Sequence, residues 1–121
     1  MPSMTHLASY RRGDVVLLEV EFADQPGRRK LRPVVIVSGG RYNATGPDLL
    51  VSTITSNLYP LPHVGDHRIQ HWQQAGLKHP SIAQTKLATT DAARIKRRLG
   101  SLHPDDLRYL EAGLKAALDL L

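Results

Sequence analysis

The sequence contains no cysteine, which excludes a disulfide scaffold and thiolate-held metals and suits a reducing compartment. Aromatic side chains are scarce, 5% of the chain with one Trp and one Phe, so a surface built on stacked rings has little to draw on. No stretch approaches the roughly 18 continuous apolar residues of a membrane span. The leading residues, Met1 to Arg12, are polar and hold no apolar run of signal-peptide length. A soluble, cytoplasmic protein with no membrane partner is the expectation. Negative charge is also in deficit. Eleven Asp and Glu face sixteen Lys and Arg, a net charge of +5, and a basic domain attracts polyanions.

The 121 residues, 41% of them hydrophobic, suffice for a single folded domain over residues 1–121 with one real core. Basic residues cluster at Arg11–Arg12, at Arg28, Arg29, Lys30 and Arg32, and at Arg94, Lys96, Arg97 and Arg98. Acids gather toward the C-terminus in Asp105, Asp106, Glu111 and Asp119. One face for an anion and another for packing would follow from that asymmetry.

Several short strands are legible. Val15 to Phe22 alternates apolar residues with Glu19 and Glu21, the period of a half-buried strand, and Gly13–Asp14 before it signals a turn. Ala23 to Leu31 reads as a basic loop, and Pro33 as the first residue of a buried strand, Val34 to Ser38. Gly39 to Asp48 reads as loop, Leu49 to Thr55 as a third strand, and Ser56 to Gly65 as a proline-broken connection. Asp66 to His71 suits a short edge strand with Ile69 inward, Trp72 to Pro80 a turn, and Ser81 to Leu87 a last long strand. Thr90 to Leu99 fits helix or strand equally. Leu107, Leu110, Leu114, Leu118 and Leu121 recur at helical spacing, with Pro104 at the first helical position and Asp105 and Asp106 complementing the helix dipole. The fold expected is mainly β with α: a small SH3-like barrel of about five strands closed by a C-terminal amphipathic helix.

His63, His67 and His71 recur every four residues, but Pro60, Pro62 and Gly65 oppose a helix there, and no HExxH pattern exists. No metal and no cofactor are expected, and His67 and His71 read as surface residues. Trp72 reads as a packing residue.

In order along the chain stand Arg12–Gly13–Asp14–Val15–Val16, Lys30 to Ser38 with its Arg32–Pro33 step, Leu50 to Ser56, Ser81–Ile82, Thr89–Thr90–Asp91, Leu99 to Leu102 and the final helix. Together they resemble the MazF/PemK toxins of type II toxin-antitoxin systems, over about residues 11 to 121. The resemblance implies metal-independent, sequence-selective cleavage of single-stranded RNA, a homodimer, and a cognate antitoxin that blocks the site. It also assigns Arg32 and Thr55 to the family's essential Arg and Thr.

Metal-free RNA cleavage uses the substrate's own 2′-hydroxyl against the adjacent phosphate. The protein must take a proton, stabilise the charged transition state and allow the 5′-oxygen to leave protonated. A guanidinium fork matches two phosphate oxygens, which suits Arg32, and a small hydroxyl donor suits Thr55 or its neighbour Ser56. Many relatives carry an acid or histidine shortly before the Arg-Pro step, and some an arginine and an aspartate on the late strand. This chain has Gln25 to Lys30 in the first place, and Ala83 and Thr85 in the second. Asp24, a histidine or Arg32 itself remain open as the proton-transfer partner. Arg28, Arg29 and Lys30 would attract RNA, and Gln84, Thr85 and Lys86 would contact a base or phosphate. Two other readings fit a small basic barrel. A CcdB-type toxin grips gyrase through its last helix, but this helix ends without an aromatic; a plain RNA-binding barrel would carry more exposed rings.

Overall fold

The computed structural model describes residues 10–22, 25–59 and 62–121. Strands β1 (Asp14–Phe22), β2 (Gln25–Ile36), β3 (Asp48–Thr55), β4 (His67–Arg68), β5 (Ile82–Asp91) and β6 (Ile95–Ser101) form one antiparallel sheet, ordered β4-β5-β3-β2-β1-β6. The sheet curls into a half-barrel, and helix α2 (Pro104–Ala117) packs beside it. A single helical turn, α1 (Gly40–Asn43), interrupts the segment expected to be loop.

The sheet buries apolar residues on both faces. One cluster gathers Val15, Val35, Val37, Ile54 and Ile69 with Leu102 and Leu110, and Trp72, Leu107 and Leu114 pack against it. The other gathers Val16, Leu18, Val34, Ile36, Leu49 and Val51, with Tyr10 and Ile95 alongside. Neighbours along β1 and β2 feed opposite clusters, as the alternation of Cβ directions requires. Each fully buried valine or isoleucine contributes about 1.5–3 kcal/mol relative to exposure, so the central strands dominate the stability.

Several expectations are corrected or sharpened. The basic loop, from Gln25 onward, is strand: Glu19, Val20 and Glu21 of β1 pair with Leu31, Lys30 and Arg29 of β2. Opposite charges across the ladder, Glu19 with Arg29 at 3.4 Å, and the Gly27 N–H donating to Glu21 at 2.6 Å, hold an exposed two-stranded arm that turn-forming Pro26 and Gly27 would disfavour. Pro33 therefore lies inside β2, but the ladder to β3 begins only at Val34, one residue past it. The sheet has six strands because Thr90 to Leu99 splits into the end of β5, a 3-10 turn at Ala92–Arg94 and β6. Asp91 caps that turn by accepting the Ala93 N–H at 2.8 Å. Finally, the leucine stripe stops being helical after Leu114: Leu118 is the C-cap and, with Leu121, is exposed.

Helix α2 begins as its sequence suggests, with Pro104 in the first turn and the His103 ring accepting the Asp105 N–H at 3.0 Å. Asp106 does more than complement a dipole. Its carboxylate is fully buried and accepts the Gln70 and His71 N–H groups, each at 2.9 Å, and meets His67 Nε2 at 2.7 Å. Burial works against the charge, but these hydrogen bonds outweigh it and hold the carboxyl below its ordinary range. His67 is consequently not a surface residue; its side chain is 12% exposed and stacks on Tyr109. Further along α2, Gly113 lies against Gly65, so closely that a Cβ on either glycine would collide with the other's carbonyl oxygen.

Candidate active site

β2 and β3 pair antiparallel through Val34 with Thr53, Val35 with Ser52 and Ile36 with Val51. Arg32 lies two residues before the first paired residue of β2 and Thr55 two residues after that residue's partner on β3, so both fall toward the same end of this strand pair. β1 and β6 extend the arrangement: Leu17 pairs with Pro33 on one side and with Arg97 on the other. Arg97, Leu17 and Pro33 thus form a row across three strands, and with Ile54 of β3 they line one cavity of about 250 Å³.

Arg32 and Ser56 border the same cavity, as do Leu77, Lys78, His79, Ser81 and Leu99. The segment carrying Lys78 and His79 is fixed from below. Ala75 and Leu77 are buried in the core, and the Leu77 N–H donates to the Trp72 carbonyl at 3.1 Å. Gly76 has φ +82 and lies directly on the Leu99 carbonyl of β6, a position that excludes a side chain. Beyond it, the buried Ser81 hydroxyl donates to the His79 carbonyl at 2.8 Å. Backbone and core hold this rim while Lys78 and His79 stay exposed.

The electrostatics are one-sided. Arg32, Lys78 and Arg97 line the cavity, and among the described residues no carboxylate does. On β6, alternation sends the neighbours of Arg97 elsewhere: Arg98 pairs with Asp14 at 3.0 Å, and Lys96 approaches Glu19 at 4.0 Å. Arg97 has no ion-pair partner among the described residues. The floor is apolar, which lowers the local dielectric and strengthens any charge contact made above it.

The sequence-derived candidates fall in different places. Arg32 and Ser56 line the cavity. Thr55 stands at the end of β3, and its hydroxyl oxygen accepts the Asn57 N–H at 3.1 Å, which leaves the hydroxyl proton to donate. Arg28, Arg29 and Lys30 lie on the exposed arm, outside the cavity lining. Gln84 receives the Thr53 hydroxyl at 3.1 Å, and Thr85 is engaged with Asp66 and the Val64 carbonyl, so both brace β5 from within; Lys86 is exposed. Asp24 lies outside the described residues. Lys78, His79 and Arg97 were not singled out by the sequence. Strand alternation through Lys96, Arg97 and Arg98 is the one signal that would have separated Arg97 from its neighbours, and nothing local marks His79.

Metal-type donors come together elsewhere. His71, His103 and Asp105 bring one donor atom each within 4.8 Å of one another, with the two imidazoles stacked at 4.0 Å. There, His103 Nδ1 caps the helix and Asp105 pairs with Arg108, so these groups already serve the start of α2.

A curled antiparallel sheet with a helix packed beside it, and a cavity whose charged lining among the described residues is Arg32, Lys78 and Arg97, defines a small, mainly β protein with one cationic concavity. Over residues 11–118 the chain matches the PemK-like, MazF-like toxins of type II toxin-antitoxin systems, and it belongs to that family. Solved structures agree on the fold. An endoribonuclease in complex with its cognate antitoxin from a mycobacterial species is 18% identical, with a TM-score of 0.69 covering 93% of this chain and 97% of that one. The Mycobacterium tuberculosis toxin MazF-mt6 is 20% identical, with a TM-score of 0.69 over 89% and 98% of the two chains. A MazE-MazF complex from Deinococcus radiodurans is 16% identical, with a TM-score of 0.71 over 93% and 97%. No curated protein sequence matches significantly.

Proposed function

We infer that this toxin cuts single-stranded RNA in the Arg32 cavity, at selected sequences and without a metal. The observation that carries the reading is the gathering of Arg32, Ser56, Lys78 and Arg97 around one cavity that, among the described residues, no carboxylate lines. Such a lining attracts a phosphodiester, and its described residues offer no carboxylate ligand for a divalent ion. The 2′-oxygen attacks the adjacent phosphorus, the bond to the 5′-oxygen breaks, and the products are a 2′,3′-cyclic phosphate and a 5′-hydroxyl. Arg32 spans two phosphate oxygens with its fork as their charge grows, and the Thr55 and Ser56 hydroxyls donate to the same group. Arg28, Arg29, Lys30 and Lys86 hold flanking RNA on the exposed strands, and Gln84 and Thr85 border that path. The protein acts in the cytoplasm. Its partners are a cognate antitoxin, as the mycobacterial endoribonuclease has one, and a second copy of this chain, for which exposed Leu118, Leu120 and Leu121 offer apolar surface.

The test is cleavage of mixed-sequence single-stranded RNA in EDTA. Wild type cuts at recurring short motifs. Folded Arg32→Ala loses about 10²–10³-fold in rate, the loss expected of one preorganised charge-stabilising donor, and Arg32→Lys recovers little because an ammonium lacks the fork. Thr55→Ala and Ser56→Ala apportion the hydroxyl role. A folded wild type that leaves every RNA intact, with or without metal, overturns the reading.

A further inference from the structure

Proton transfer is the part of this chemistry that the Arg, Lys and hydroxyl groups of the cavity perform poorly. Guanidinium stays charged throughout, a serine or threonine hydroxyl is a weak base unless assisted, and an ammonium has no lone pair to accept with. Among the described residues, His79 is the only imidazole that lines the cavity, and no carboxylate lines it. Imidazole is the side chain suited to exchanging protons near neutrality. His79 is also held where such a group belongs: its carbonyl is tied to the buried Ser81 hydroxyl, buried Leu77 anchors the chain two residues earlier, and its own side chain is exposed. No hydrogen bond or ion pair engages its ring among the described residues, whereas His67 and His103 are committed to Asp106 and to the cap of α2.

We propose that His79 is the general base of this cavity, accepting the 2′-hydroxyl proton as that oxygen attacks phosphorus; the proposal rests on the ribonuclease reading above. The imidazole gains one proton as the bond from the 2′-oxygen to phosphorus forms and the bond to the 5′-oxygen breaks. Water protonates the departing 5′-oxygen, and His79 returns its proton to solvent. No oxidant, reductant or metal enters, and the sum is an RNA chain exchanged for a cyclic phosphate and a 5′-hydroxyl. The basic surroundings assign a division of labour, with Arg32, Lys78 and Arg97 holding charge and His79 moving the proton.

The experiment is single-turnover cleavage of the mixed-sequence RNA in EDTA from about pH 5 to 9, with wild type, His79→Ala, His79→Gln and Arg32→Ala, each confirmed folded by circular dichroism. Wild type loses rate on the acid side as its base becomes protonated. His79→Ala and His79→Gln fall about 10²–10⁴-fold, the range for one positioned acid-base group, and lose that acid limb. Added imidazole restores part of the His79→Ala rate, while Arg32→Ala keeps the limb and is not rescued. RNA binding by His79→Ala, measured by filter retention, stays within a few-fold of wild type. If His79→Ala cuts at the wild-type rate, or is slow but retains the acid limb and ignores imidazole, the assignment of His79 is wrong and the ribonuclease reading stands. If wild type itself does not cut, both fall together.

Discussion

Ser52 is the residue at which packing and polarity conflict most plainly. It sits in β3 between Val35 and Leu87 on the neighbouring strands, is fully buried, and its hydroxyl has no hydrogen-bond partner among the described residues. An unsatisfied buried hydroxyl costs about 1–3 kcal/mol of desolvation, whereas removing one oxygen leaves only a small void. Ser52→Ala should therefore match or exceed wild-type stability, read as an unchanged or higher midpoint in urea; a drop of more than about 1 kcal/mol would show that the hydroxyl finds a partner. The cavity lining is unevenly legible in the sequence. Arg32 and Ser56 are reachable because each adjoins an apolar run whose end is legible. His79 is not, because its place depends on a glycine resting on β6 and a core contact at Leu77, both long-range.

Two contacts of helix α2 carry opposite lessons about reading an element from its sequence. Alanine normally improves a helix over glycine by about 0.8–1.0 kcal/mol. At Gly113 the sign reverses, because the added Cβ would meet the Gly65 carbonyl, a backbone atom that cannot swing aside. Overpacking of that kind costs about 1–3 kcal/mol, so Gly113→Ala should unfold at lower denaturant, while Ala112→Gly, on an exposed position of the same helix, loses only the propensity difference. The second contact is Asp106. Its folded carboxyl titrates below the ordinary aspartate value, so its contribution is complete above that value and is lost as pH falls through the folded one. Asp66, held by the His63 and Thr85 N–H groups and the Thr85 hydroxyl against the cost of burial, behaves alike. Thermal scans should show stability dropping below about pH 4, and Asp106→Asn, weaker by about 1–3 kcal/mol at pH 7, should converge on wild type in that range. A gap that persists unchanged into acid would place the loss elsewhere. The sequence marks the start of α2 through Pro104 and the leucine stripe, yet it gives Asp106 the role of a surface dipole partner. Only the approach of residues 67–71 turns that carboxylate into a buried latch.

At the scale of the molecule, a basic surface arm stands beside a cationic cavity. Attraction of RNA to such an arm releases counterions, and single-stranded nucleic acid gives a salt slope of about 0.7 per phosphate neutralised. Replacing Arg28, Arg29 and Lys30 together by alanine should flatten the plot of log affinity against log salt by up to about two units and leave the cleavage motif unchanged. An unaltered slope would remove the arm from the RNA path. The architecture was legible as a mainly β fold with a terminal helix, since strand alternation and helical spacing are local signals. The extent of β2 was not, because Gln25 to Leu31 becomes strand only when the acids of β1 stand across from its bases.

The two-sided core has a consequence for how the chain finds its alignment. Where one face of a sheet meets water, a slip of one residue exposes apolar side chains and is rejected by solvent. In β2, Val34, Val35 and Ile36 feed both clusters in turn, so a slipped strand would still present valine or isoleucine to each side. Hydrophobicity alone cannot proofread this strand. The keys are polar: Arg29 across from Glu21 and beside Glu19, Arg32 at the lip of the cavity, and, just past the strand, Ser38 donating to Asn43 while accepting the Leu50 N–H. The arginine proposed to hold the phosphate thus sits among the residues that fix the alignment of the central strand.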